Sequence, residues 1–196
     1  MTRVIAGAAG GRRLTVPPGQ RTRPTSDRAR EGLFGTVLGI FGQLSGASVL
    51  DLYAGSGAVG LEALSRGADR ALLVESDPRA VRAIRANIAA LGLPGARVSA
   101  ERVERVLARG PRSYAASGDG RFDVVFADPP YALAGEEVAA ILAALVERGW
   151  LRPGALVAVE RSTRSGSLPW PSGYEQNRSR RYGEATLWYG LATGAA

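Results

Sequence analysis

The sequence predicts an α/β fold, a mostly parallel β-sheet covered by helices on both faces. Three observations carry this. From Ala47 onward, short apolar runs alternate with segments of helical periodicity, the pattern of repeated strand–helix units. The apolar runs within SVLDL, ALLVESD and RFDVVFADPPY are near-continuous rather than alternating, as strands buried on both faces are. A glycine-rich turn, AGSGAVG, stands between the first of these runs and the helix that follows it.

The elements follow in order. RVIAG and RRLTV are short β-type runs separated by AAGG, which predicts a hairpin, and a loop through PPGQRTRPT comes next. Residues 1–25 thus read as an extension ahead of a main domain over 26–196. Ser26 or Thr25 caps a helix from Asp27 to about Phe41. SVLDL is a strand, AGSGAVGLEALSRGA a loop and helix, and ALLVESD a second strand. PRAVRAIRANIAALGL is a helix with Val81, Ile84, Ile88 and Leu91 on one face, three and four apart. ARVSAE is a third strand, RVERVLARG a short helix, GPRSYAASGDG a loop, and RFDVVFADPPY holds a fourth strand. EEVAAILAALVERG is a helix whose stripe is Val138, Ile141, Leu142, Leu145 and Val146. ALVAVERS is a fifth strand, and YEQNRSRRYG with TLWYGLA closes the chain as an antiparallel pair. Trp150, Trp170 and Trp188 read as core or loop packing.

Composition narrows the chemistry. A chain of 196 residues suits one domain with a good-sized core. No apolar run approaches the roughly 18 residues of a membrane span. The N-terminal residues carry no signal-peptide pattern, so a cytoplasmic protein without membrane contact is expected. No long apolar surface stripe demands a second copy, and a monomer is expected. The chain has neither cysteine nor histidine. Disulfides, thiolate metal sites, a cysteine nucleophile and a histidine base are therefore excluded, and no metal site is expected. The net charge is +7 with a pI near 10.7, and all 25 basic residues are arginines. Guanidinium forks suit phosphates and base edges, so the charge points to a polyanionic partner.

In an open parallel sheet, ligands bind beyond the carboxyl ends of the strands. That places DLYAGSG, VESD and ADPPY around one crevice. Gly55 to Gly60 fit the G-x-G-x-x-G spacing, with a helix N-terminus offering free N–H groups, and Glu75 ends the second strand, where a carboxylate accepts from ribose hydroxyls. An adenosine-bearing ligand follows. Asp51 beside the turn does not suit a pyrophosphate, and the residues after Tyr131 are needed to finish the sheet rather than to build a dehydrogenase's substrate domain. An acid there suits an ammonium and a sulfonium, as in S-adenosyl-L-methionine, whose carboxylate the glycine-turn amides take. The candidate cofactor residues are Asp51, Tyr53, Ala54, Gly55, Ser56, Gly57, Glu75 and Ser76.

The stretch Asp128, Pro129, Pro130, Tyr131 then gains a meaning. An electrophilic methyl calls for a nucleophile, and an exocyclic base amine is a poor one because its lone pair is delocalised. Two acceptors on its two N–H groups favour a pyramidal nitrogen and oppose the positive charge that grows during attack. The Asp128 carboxylate and the Pro129 carbonyl are those acceptors. The prolines stiffen the turn and bring no competing donor, and Tyr131 offers a face for stacking. The same clamp serves adenine N6 or cytosine N4 of DNA, or a protein glutamine amide. The lack of a target-recognition domain argues against a sequence-specific DNA enzyme, and the basic charge against the amide. Cytosine C5 chemistry by the covalent route needs a thiolate. A non-catalytic RNA-binding assembly factor has no need of an intact clamp and glycine turn.

RVIAG, TRPTSDRAREGLF, LDLYAGSGAVGLEALSRGA, VESD and DPPY together resemble the bacterial RsmD-type methyltransferases, over nearly the whole chain. The resemblance implies a Rossmann-like S-adenosylmethionine-dependent methyltransferase fold: a seven-stranded, mostly parallel sheet with an antiparallel last strand, plus an N-terminal β-hairpin. It implies methylation of N2 of a guanine in 16S rRNA, free or in the assembling 30S subunit. It assigns adenine contact to the segment after the third strand, here Glu101 and Arg102, where the family often has Asn-Ala or Asp-Ala. Arg3, Arg12, Arg13, Arg21, Arg23, Arg28 and Arg30 are candidates for phosphate contact, while Arg23, Thr25 and Asp27 alternatively order the site's rim. Arg178, Arg180 and Arg181 read as a solvated strand face.

Overall fold

The computed structural model describes residues 2–17, 26–115 and 118–194. The expected loop through 18–25, with Thr25, Arg21 and Arg23, lies outside them. The element order is α1 (Asp27–Phe41), β1 (Ser48–Leu52), α2 (Ala58–Ser65), β2 (Arg70–Val74), α3 (Pro78–Leu91), β3 (Ala96–Ser99), α4 (Val103–Arg109), β4 (Phe122–Ala127), α5 (Gly135–Glu147), β5 (Leu151–Ser162), β6 (Tyr174–Tyr182) and β7 (Ala185–Ala192). The described strands form one seven-stranded sheet in the order β3-β2-β1-β4-β5-β7-β6. β1 to β5 pair in parallel, and β7 runs antiparallel between β5 and β6. The expected sheet, with its antiparallel last strand, is what forms.

Local chemistry accounts for the helix starts. Ser26 accepts the Ala29 N–H at 3.1 Å and starts α1 at Asp27, as expected. Asp77 accepts the Arg79 N–H at 2.8 Å, and Pro78 opens α3. The sheet's two faces build two cores. One packs Val49, Leu73, Phe126, Leu156 and Tyr189 against Leu33 and Phe34 of α1, Leu61 of α2 and Ile84 of α3. The other packs Leu50, Leu52, Val74, Val125 and Val157 against Val106 of α4 and Leu142 of α5. Each such side chain stabilises the fold by about 1.5–3 kcal/mol relative to exposure. Trp150 is wholly buried in this second core, with its indole N–H on Leu107 O at 3.2 Å. Trp170 and Trp188 pack against the same core.

The hairpin forms as expected but is brief. Arg3 bridges Arg13, Val4 N–H meets Arg12 O at 2.9 Å and Leu14 N–H meets Thr2 O at 2.9 Å. Val4, Ala9 and Leu14 join the first core. Two boundaries differ from expectation. β5 begins at Leu151, four residues ahead of the expected ALVAVERS, and its register with β4 shifts there. Within GPRSYAASGDG, Pro111–Tyr114 make a 3-10 turn that sets Tyr114 against Trp150 at 5.8 Å between ring centroids.

Candidate active site

The strand registers bring the motifs together. Leu52 lies opposite Val74 on one side and Ala127 on the other. The residues that follow, Tyr53, Glu75 and Asp128, therefore emerge side by side at the carboxyl edge. β1 is the switch point, with β2 to one side and β4 to the other, where such sheets open a crevice. Backbone bonds continue past the strand ends: Ala54 N–H to Val74 O at 2.9 Å, Glu75 N–H to Ser99 O at 3.1 Å and Asp128 N–H to Leu52 O at 3.3 Å.

The turn after β1 is built to be tight. Tyr53 has φ of 62°, a backbone state costly to a bulky residue, and its hydroxyl is buried without a hydrogen-bond partner among the described residues. Burial, with Glu104 and Glu137 adding to it, drives that phenol far above its ordinary range. Gly57 has φ of 79°, and a Cβ there would come within 2.8 Å of Leu73 Cδ2. Gly55, with φ of 57°, faces open space, where a Cβ would meet nothing within 4 Å. Ala54 and Ser56 are buried beneath it.

Two carboxylates flank this turn. Asp51 is 1% exposed, and its Oδ2 accepts the Gly60 N–H at 2.9 Å. Burial pushes its carboxyl up to about 7; the Gly60 bond pulls it down and the Glu75 charge adds to the rise. Glu75 is half-buried and held by three backbone donors: Gly55 N–H on Oε2 at 2.9 Å, Ser76 N–H at 2.7 Å and Asp77 N–H at 2.8 Å, both on Oε1. Ser76 is exposed and serves Glu75 through its backbone.

Beyond β4, Asp128 is half-buried, Pro129 buried and Pro130 exposed, while Tyr131 is 57% exposed with its ring at the surface of the corner. The chain turns back at once, with Leu133 N–H on Pro130 O at 2.8 Å. Sequence reasoning missed the brace: Arg161 of β5, 9% exposed, donates to Leu133 O at 2.9 Å. It also missed Asn87. That side chain is 2% exposed and donates to Ser56 O and Thr15 O, both at 2.9 Å, while accepting the Thr15 N–H at 2.7 Å. A polar residue three after Ile84, on the apolar side of α3, was the available signal. Glu62 is a third: wholly buried in α2, it accepts Ile5 N–H at 2.6 Å, Ala6 N–H at 3.0 Å and Arg66 Nε–H at 2.7 Å.

Other candidates are engaged locally. Glu101 sits just past β3, and its Oε1 takes Arg109 at 2.7 Å and Ser99 Oγ at 3.3 Å. Arg102 is the exposed first cap residue of α4. The Arg12 guanidinium donates to Leu91 O at 3.0 Å and to Ala90 O, serving the last carbonyls of α3. Arg3 lies 3.5 Å from Asp27, which also pairs with buried Arg30 at 2.6 Å. Arg13 and Arg28 are exposed.

A doubly wound sheet with an antiparallel seventh strand, carrying a glycine turn between a buried acid and a second-strand acid, defines a Rossmann-like methyltransferase fold. Comparison with known proteins makes this more specific. Residues 2–190 match the family model described as conserved hypothetical protein 95. The ribosomal RNA small subunit methyltransferase D of Escherichia coli K12 is 35% identical over 93% of this chain and 85% of its own length. Among solved structures, the methyltransferase yhhF of Escherichia coli aligns with a TM-score of 0.82 at 32% identity, covering 97% of both chains. A hypothetical protein of Thermus thermophilus aligns at 0.76 and 35% identity, covering 96% of this chain and 98% of that one. The chain belongs to the family of the ribosomal RNA small subunit methyltransferase D.

Proposed function

We propose that this protein transfers a methyl group from S-adenosyl-L-methionine to the exocyclic N2 amine of a guanine in 16S rRNA of the small ribosomal subunit. The observation that supports this reading is the alignment of three strand ends, which brings the Asp51–Gly57 turn, Glu75 and the Asp128–Tyr131 corner to one edge of the sheet.

The residues present fit the cofactor. Gly55 faces open space beside the turn, a cradle that a side chain would fill. A carboxylate oriented by three backbone donors suits a ribose diol, and a buried acid with an elevated pKa suits an ammonium neighbour. Asp51, Gly55, Ser56 and Gly57 would hold the methionine part, and Glu75 the ribose. Asn87 keeps the Ser56 carbonyl in place from α3.

When bound, S-adenosylmethionine would supply an electrophilic methyl on a sulfonium, the broken S–C pair staying on sulfur so that the leaving group is the neutral thioether S-adenosylhomocysteine. The chain's own part is positioning and electrostatics. The Asp128 carboxylate accepts one amine N–H and the Pro129 carbonyl the other, so the nitrogen's lone pair turns toward the methyl. As the new N–C bond forms, positive charge grows on nitrogen, and Asp128 opposes it and stands ready to accept the departing proton. Tyr131 stacks on the base, worth about 1–3 kcal/mol. Arg161 holds the segment after Tyr131 so that the corner does not splay.

The test is transfer of label from radiolabelled cofactor to 16S RNA or 30S particles taken from cells lacking the gene. Mass spectrometry should find the methyl on guanine N2. Label entering duplex DNA instead of ribosomal RNA would overturn the reading.

A further inference from the structure

The edge strand β6 carries Arg178, Arg180 and Arg181, which the sequence suggests are a solvated strand face. The sheet gives them a more particular place. Ala127 of β4 lies opposite Val159 of β5, Val159 opposite Trp188 of β7, and Trp188 opposite Ser179 of β6. One residue further along, Asp128 is level with Glu160, Leu187 and Arg180. The next step brings Pro129 level with Arg161, Thr186 and Arg181. Three strand spacings separate β4 from β6, so Arg180 and Arg181 sit about 14 Å to one side of the clamp at the same end of the sheet.

Two turns meet there. Thr163, just past β5, donates its N–H to Glu184 O at 2.8 Å, and its hydroxyl lies 3.1 Å from that of Thr186. This fixes the β6–β7 turn beside the turn bearing Arg164. Arg164, Arg180 and Arg181 are exposed, and Arg181 is braced by its Nε–H on Gly183 O at 2.9 Å. Behind them the Arg178 guanidinium lies 6.0 Å above the Tyr189 ring. α1 starts at the same corner. A Cβ on its Gly32 would come within 1.8 Å of the hydroxyl of Tyr182, the last residue of β6, so the exposed Arg28, one turn earlier, lies nearby. Glu184, the buried Glu160 and, on α1, Glu31 and Asp27 are the acids of this corner, Asp27 being paired with Arg3 and Arg30. In the other direction along the carboxyl edge, acids and arginines interleave and pair, Asp77 with Arg79 and Glu101 with Arg109.

We infer that the corner formed by Arg164, Arg180 and Arg181, with Arg28 beside it, takes the sugar–phosphate backbone of the RNA strand flanking the target guanine. The inference rests on RNA being the substrate. A strand whose base is held at Asp128–Tyr131 must leave along the carboxyl edge, and toward β6 it meets three exposed arginines, Arg164, Arg180 and Arg181, at two adjoining turns. Exposed guanidinium forks there take phosphate oxygens in pairs.

The test is the salt dependence of methylation. KM for 16S RNA and for 30S particles is measured from about 50 to about 200 mM salt, where each phosphate contact changes affinity about threefold. The variants are R180A/R181A and, as control, R148A, which sits after α5 at the amino end of the sheet. The double variant is expected to lose about 1.4–1.8 from the slope of log affinity against log salt, with KM raised at low salt and kcat and cofactor affinity unchanged. An unchanged KM and slope beside an active wild type overturns the inference, as does an equal effect of R148A. An effect on particles but not on naked RNA assigns the corner to a ribosomal protein and also overturns it. A wild type that labels no ribosomal RNA overturns the underlying reading instead, before any variant is compared.

Discussion

On the proposed placement of the cofactor's ammonium beside Asp51, the buried acid at the foot of the glycine turn, binding should release a proton. Asp51 is 1% exposed, and burial holds its carboxyl up at about 7 despite the Gly60 N–H. In the free protein at pH 5 it is almost wholly protonated. An ammonium placed beside it favours the ionised form, so binding expels the proton. With the bound carboxylate ionised throughout, Kd tightens about tenfold per pH unit up to pH 6 and then flattens, about fiftyfold between pH 5 and pH 7. Titration calorimetry with S-adenosylhomocysteine, run in buffers of different ionisation enthalpy, should count about 0.9 proton released at pH 6. Asp51→Asn should abolish both the slope and the release, and weaken binding at pH 7 by about 10- to 150-fold, the worth of a charge-assisted hydrogen bond of about 1.5–3 kcal/mol. Stability carries the same signature. The folded pKa lies above the unfolded one, so the Asp51 contribution is complete below pH 4 and is lost as pH rises through 7, about 4 kcal/mol in all. A Kd that stays flat from pH 5 to pH 7 with no proton release would refute the placement of an ammonium at Asp51.

Three further substitutions separate chemistry from scaffold. Asp128→Asn should lower kcat by about 100- to 1,000-fold while cofactor Kd stays within about twofold, read by single-turnover labelling and calorimetry. Glu62→Gln leaves Arg66 without its carboxylate and takes a second acid from buried Arg30, which keeps Asp27, and should cost about 3–5 kcal/mol in urea unfolding, with no change in kcat for the fraction that remains folded. Asn87→Ala strips partners from Ser56 O and from both backbone groups of Thr15; about 2 kcal/mol of stability and several-fold in cofactor affinity should go together.

What the sequence disclosed, and what it did not, follows from the range over which each feature acts. α1 was legible because its cap, Ser26, is adjacent to its first residue. α3 was legible because Val81, Ile84 and Leu91 recur at helical spacing and are buried as that spacing requires. The glycine turn, Glu75 and the Asp128–Tyr131 corner were legible because each directly follows an apolar strand, and the common register of those strands did the rest. Contacts made across the fold were invisible. Glu62 looks like an ordinary helix-surface acid until Ile5 and Ala6 arrive from 57 and 56 residues away. Arg12 looks like a loose surface cation until the end of α3 is seen beneath it. Arg161 reads as the polar end of a strand until the loop after Tyr131 folds over it.

α2 has a further consequence. Its first turn grows out of the glycine loop at Gly57, and barely more than one turn later Glu62 grips the backbone of the hairpin at Ile5 and Ala6. One short rod thus spans the turn proposed to hold a small ligand and the flank to which a basic N-terminal segment is moored. If that segment shifts on meeting a polynucleotide, α2 offers a path by which the loop would feel it, and the reverse. The two occupants should then influence each other's affinity by one common factor, as thermodynamic reciprocity demands. Titrating each in the presence and absence of the other measures that factor, and severing the mooring at Glu62 should bring it to unity.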